Sequence, residues 1–116
     1  MIGRAIVLAL TLSLSLALTT GATAEPGTKT VRTWKAKCAS CHGVDGKGDT
    51  DPGKKLGLPD MTTAAWQKTV TDDQMKKSIT NGIKRADKPE GMDAYAETLS
   101  VEQIGELASL VRGLGK

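Results

Sequence analysis

The 116-residue chain has no phenylalanine, one tyrosine, two tryptophans, one histidine and two cysteines. Each shortage excludes something. Three aromatics, Trp34, Trp66 and Tyr95, make a thin core for a small domain whose stability is marginal at this size, so another group is needed to fill the centre. With one histidine and no cysteine beyond Cys38 and Cys41, a four-ligand structural zinc site cannot be assembled. No segment alternates with a two-residue period, so strands are not expected, nor the βαβ setting of a thioredoxin-type dithiol. The formal charge is only +3, and no dense Lys/Arg block with interleaved aromatics argues for nucleic acid. No internal repeat or low-complexity tract is present. The longest apolar run, Ala5 to Leu18, is broken only by Thr and Ser and is shorter than the ~20 residues that span a bilayer.

That run fits a different purpose. Arg4 supplies a positive charge ahead of it, and Ala22-Thr23-Ala24 follows the small-x-small rule for secretory cleavage. Residues 1–24 are expected to be a signal peptide, leaving 25–116 as the exported domain, in the periplasm. Cleavage removes one charged residue, Arg4, so the balance stays mildly basic.

The remaining sequence reads as helices and loops. Val31, Trp34 and Cys38 share one face of a helix from about Lys29 to Ala39. Gly43 to Pro59 is rich in glycine and proline and is expected as loop. A short helix is expected over Met61–Gln67, capped by Asp60 or Thr62. Thr71 with Gln74, and Ser100 with Gln103, are capping boxes. The first opens a helix carrying Met75, Ile79 and Ile83 and ending near Gly82. The second opens a helix striped with Ile104, Leu107 and Val111 and stopping at Gly113. Lys84 to Leu99 is expected as loop. Long loops in so small a domain need an organiser.

What is present is concentrated in five residues, Cys38-Ala39-Ser40-Cys41-His42. A Cys38–Cys41 disulfide would close a loop too small to stabilise much, and it leaves His42 without a role. Covalent haem accounts for every residue. Haem c has two vinyl groups on neighbouring pyrroles, and two thiols about one helical turn apart can meet them. The adjacent imidazole can then ligate the iron, and the motif is a standing signal for haem attachment.

Beyond the motif the sequence resembles the small single-haem cytochromes c of class I, over about Thr30 to Leu114. The resemblance rests on CASCHG followed by Asp45-Gly46-Lys47-Gly48, on LPDMTTAAW, on NG before a methionine-containing loop, and on the closing LSVEQIGELASLVRGL. It implies an all-α fold of three to five short helices and long loops wrapped around one haem, covalently bound through Cys38 and Cys41. Val31 and Trp34 of the first helix would pack on Leu107 and Val111 of the last.

A second axial ligand is needed for electron transfer, and a His/Met pair raises the potential. Met61, Met75 and Met92 are the candidates once Met1 is removed. Met75 has core spacing with Ile79, and Met61 opens a short helix. Met92 lies in a loop between helices, placed as the family's ligand methionine is, so His42 and Met92 are the expected iron ligands, with Met61 next. Asp93 stands where the family often has proline. The free nitrogen of His42 wants a carbonyl, for which the resemblance offers Pro52, or else Pro59. Gly43, Gly46 and Gly48 would let backbone pass close to the ring. Leu56, Leu58, Trp66, Ile79, Ile83, Tyr95 and Leu99 are pocket candidates. Lys47, Lys54, Lys55, Lys84, Arg85 and Lys88 could form a basic rim for acidic redox partners.

The expected function is that of an exported, monomeric one-electron carrier between redox partner proteins, without enzymatic activity of its own. The alternatives are a haem subunit of a periplasmic dehydrogenase or oxidase, or a small-ligand sensor with an open iron site. Peroxidase-type chemistry wants a distal acid/base, and no second histidine exists to serve.

Overall fold

A computed structural model describes residues 25–87 and 90–116. The expected signal peptide, together with Lys88 and Pro89, lies outside the described residues. Among the described residues six helical segments follow one another: α1 Thr28–Lys37, α2 Ala39–His42, α3 Asp51–Leu56, α4 Ala64–Thr69, α5 Asp72–Asn81 and α6 Val101–Gly113. The fold is all-helical, as expected. Six segments rather than three to five arise because α2 is a short continuation of α1 and because α3 forms within the expected loop.

α6 is the centre of the packing. Its Ile104, Leu107, Ala108, Leu110 and Val111 are buried, and α1 and α5 both pack against it. The core joins these residues to Trp34, Met61, Met75, Ile79 and Leu99, with Val31 partly buried against them. The four residues expected to join the first helix to the last thus belong to one cluster. Thr30 ties the same two helices by donating to the Glu106 carboxylate at 2.7 Å.

Both capping boxes form. The Thr71 hydroxyl accepts from the Gln74 amide, and the Ser100 hydroxyl from the Gln103 amide, with the reciprocal glutamine bonds in place. Other boundaries shift for local reasons. The helix expected over 61–67 begins at Ala64, capped by Thr63, whose hydroxyl accepts from the Trp66 amide. Asp60 does not cap it; its carboxylate accepts from the Thr62 amide and hydroxyl at 2.9 and 2.5 Å. Met61 is held out of the helix because its amide donates to the Gly46 carbonyl at 3.0 Å. The unexpected α3 has complete punctuation: Thr50 as N-cap, Pro52 in the first turn and Gly57 in the left-handed conformation at its end.

α5 ends as expected at Gly82, but Ile83 does not continue its buried face. Ile83 instead pairs with Met92 in an isolated antiparallel bridge and is 46% exposed. Among the described residues this bridge is the only β pairing.

Candidate haem-binding site

The three motif residues lie where α1 breaks. Cys38 has φ −118°, which ends the α1 ladder, and α2 then presents Cys41 and His42. Both thiols are free and half-buried, so no disulfide joins them. Burial pushes the Cys38 thiol up to about 11. A redox dithiol needs a lowered pKa, so this environment opposes thioredoxin-like chemistry.

The His42 ring sits 5.9 Å from that of Trp34, tilted by 32°. Burial lowers its pKa, which favours the neutral imidazole that binds metals. Its Nδ1 is buried without a hydrogen-bond partner. Neither Pro52 nor Pro59 accepts a hydrogen bond from it. Pro52 lies in the first turn of α3, and the Pro59 carbonyl lies close to Gly48, 3.2 Å from where an added Cβ would be.

The chain after His42 folds back over the motif. Trp34 donates its indole N–H to the Val44 carbonyl at 3.2 Å. The Gly48 amide donates to the His42 carbonyl at 2.7 Å. Thr50 does two things with one hydroxyl: it donates to the Cys41 carbonyl at 2.6 Å and accepts from the Gly53 amide at 2.9 Å. The N-cap of α3 is thereby also a tie to the haem-attachment segment. Gly53 is obligatory for this approach, since an added Cβ would meet the Gly48 carbonyl and lie 2.6 Å from that of Cys41. Gly43, Gly46 and Gly48 all have positive φ, as a chain folding back this tightly requires. Thr50 is not among the residues singled out by sequence. Its signal is present there all the same, as Thr50-Asp51-Pro52-Gly53 is a helix start.

The methionines separate clearly. Met61 and Met75 are core residues, 5% and 6% exposed. Met92 is half-buried at the core edge, beside the same cluster as Cys38, Trp66, Val70 and Tyr95. Its amide and carbonyl both pair with Ile83, at 2.9 Å each. Gly82, with φ +72°, makes the turn before this bridge, and a Cβ there would run into the Met92 carbonyl and lie 2.8 Å from the Ala94 nitrogen.

Of the expected pocket residues, Leu56, Ile79 and Leu99 are buried, Leu58, Trp66 and Tyr95 are half-buried, and Ile83 lies at the surface. Val70 joins the core edge, a place its sequence context does not signal. A cleft of about 440 Å³ opens beside Cys41, between α3 and the Glu90–Gly91 segment. Lys55 and Glu90 on its two walls pair at 3.4 Å. The expected basic rim is partly neutralised: Lys54 pairs with Asp49 at 2.9 Å and Arg85 with Asp87 at 3.6 Å. Arg85 also donates to the Leu56 carbonyl at the end of α3. Lys47 and Lys84 are exposed, and Lys88 lies outside the described residues.

The donor set fits haem c: two unpaired thiols three residues apart, a neutral half-buried imidazole beside them, and a thioether at the core edge. A small helical shell around such a turn defines a single-haem c-type cytochrome. The chain belongs to the family described as cytochrome C oxidase, cbb3-type, subunit III, whose family model matches residues 25–111. Among solved structures it is similar to the KustC0563 c-type cytochrome, at 33% identity and a TM-score of 0.65, covering 75% of this chain and 98% of that one. A tyrosine-to-phenylalanine mutant of Kustc0563 matches at 33% identity and a TM-score of 0.63, covering 73% and 96%. No curated protein matches the chain. Members of this family carry covalent haem c and transfer electrons rather than act as enzymes themselves.

Proposed function

We propose that the protein is an exported one-electron carrier, with haem c joined to Cys38 and Cys41 and its iron held by His42 and Met92. When bound, haem c supplies the one-electron Fe(III)/Fe(II) couple. The chain's own residues orient and insulate it. Trp34 and the core of α6 hold the imidazole side dry. The Thr50 and Gly48 hydrogen bonds fix the attachment segment, and the Ile83–Met92 bridge sets the methionine loop. The observation that carries the ligand assignment is the division among the methionines. Met61 and Met75 are spent in the core, whereas Met92 sits on a loop at its edge.

In this reading residues 1–24 are a cleaved signal peptide and residues 25–116 work in the periplasm as a monomer. No helix of the described residues is long and apolar enough to cross a membrane. Redox partners dock electrostatically. Of the expected rim, Lys47 and Lys84 are exposed, whereas Lys54, Lys55 and Arg85 already have acidic neighbours. The family's description favours one other reading, a dedicated subunit of an oxidase complex; retrieval with one large partner at fixed stoichiometry would select it.

The test is spectroscopic. Exported protein should show a c-type spectrum that changes on reduction, and the haem should survive a denaturing gel. The ferric form should show a methionine–iron charge-transfer band that Met92→Ala abolishes, with a lower potential. A wild-type protein without that band that binds carbon monoxide readily would favour an open-iron sensor instead.

A further inference from the structure

The break in the helix at Cys38 has a consequence for the backbone. In a continuous helix the Cys41 amide would bond to the Lys37 carbonyl, four residues back. Here the Cys41 amide turns to the Cys38 carbonyl, at 3.3 Å. The Lys37 carbonyl, one residue before the first thiol, is released from the ladder. It is taken by the Tyr95 hydroxyl, which donates to it at 3.0 Å across 58 residues of sequence.

Tyr95 is placed for more than filling a carbonyl. Its own amide donates to the Ile79 carbonyl at 3.0 Å, and the Leu99 amide donates to its carbonyl at 2.9 Å. Its ring is half-buried at the same core edge as Cys38 and Met92. Met92, three residues earlier, is paired on both sides with Ile83. Only Asp93 and Ala94 lie between these two anchors. The segment is therefore short, pinned at both ends to α5 and the turn that follows it, and joined to the attachment helix through one phenolic oxygen.

Resting on the Met92 ligation proposed above, we infer that Tyr95 is a positioning residue for the methionine ligand. By holding the Lys37 carbonyl, its hydroxyl fixes the separation between the helix that carries the thioethers and the loop that carries Met92. Without it, Met92 remains in the chain and the bridge remains formed, but the loop leaves the iron more readily. The net worth of one such hydrogen bond corresponds to a roughly three- to tenfold change in the open population of the loop.

The experiment compares Tyr95→Phe with wild-type holoprotein. Phe keeps the ring and removes one oxygen. The readouts are the pH at which the ferric methionine–iron band is lost and the rate at which added imidazole replaces the ligand. As pH rises, competing basic ligands deprotonate, and a loop that opens more easily yields to them sooner. The midpoint should fall by roughly half a unit to one unit, and imidazole should bind about three- to tenfold faster. An unchanged midpoint and rate beside a lowered melting temperature would overturn the inference, because the hydroxyl would then serve the fold alone. So would a Y95F protein that never assembles. Met92→Ala separates this from the reading beneath it. If that variant keeps the band, the ligand assignment fails, and a Y95F shift measured on the same samples would no longer concern Met92.

Discussion

The segment from His42 to Gly57 is tied to its surroundings by backbone, hydroxyl and indole bonds: Gly48 to His42, Thr50 to Cys41, Trp34 to Val44, and Met61 back to Gly46. Between Gly82 and Tyr95 the ties are a two-bond bridge, the Tyr95 anchors, the Arg85 bond to the Leu56 carbonyl, and the Lys55–Glu90 pair, both of whose side chains are more than half exposed. The attachment side is built as rigid structure and the methionine side as a clasp. Covalent haem c is joined on the first, and its hydrogen bonds hold the attachment segment in one geometry. In the proposed ligation a thioether–iron bond is reversible, so the second side would have to be held only well enough to keep its ligand.

The largest test of that contrast is to remove the permanent bonds. Replacing both Cys38 and Cys41 with Ala should abolish haem retention on a denaturing gel and leave a poorly folded chain, because three aromatics and a few aliphatics cannot fill the core alone. A double variant that folds natively without haem, by circular dichroism and thermal melting, would show that the cofactor is not needed to complete the core.

Gly82→Ala should strike the clasp and spare the attachment side. The substitution forces a side chain into positive φ and against the Met92 carbonyl. The expected cost exceeds about 2 kcal/mol. The diagnostic result is selective: the methionine–iron band disappears while the haem stays covalently bound. Loss of both together would mean that the two sides fold as one unit.

How far these two sides could be read from the sequence differs in the same way. The attachment residues are contiguous, and their chemistry is local, so Cys38, Cys41 and His42 stand out unaided. Thr71 and Ser100 are equally local, and both capping boxes form. The role proposed for Met92 rests on the resemblance to a family, because it depends on which methionines the core absorbs, and burial is a tertiary outcome. Ile83 misled for that reason: periodicity continued α5 through Gly82, where the left-handed turn diverts the chain into the bridge. α3 was hidden by its own composition, since glycine and proline mark loops in general and helix ends in particular. The Tyr95–Lys37 bond carries no sequence signal, because a carbonyl freed by a helix break looks like any other.

Thr50→Ala comes next in size. It removes an N-cap and the bond to the Cys41 carbonyl together, so thermal or denaturant unfolding should register about 1–2 kcal/mol. Thr50→Ser should recover most of it. The band should persist, since this residue serves the attachment side. A T50A protein that loses the band at unchanged stability would dissolve the distinction between the two regions.

Asp60 gives the smallest and most specific effect. It belongs to the attachment side, in the turn that delivers Met61 to Gly46. Its carboxyl titrates below the ordinary value of 3.8, first because the Thr62 hydroxyl and then because the Thr62 amide donates to it. The unfolded chain therefore binds a proton at higher pH than the folded one. The stabilisation is complete above pH 3.8 and drains away as pH falls through the lower folded value. Asp60→Asn should leave the melting temperature near neutral pH almost unchanged, since an amide oxygen can still accept from Thr62. It should flatten the decline between about pH 4 and the acid limit relative to wild type. The methionine–iron band should follow the same pH course in both proteins, because the turn at Asp60 does not touch the clasp. Equal acid slopes for the two proteins would mean that the Thr62 bonds form in the unfolded chain as readily as in the folded one.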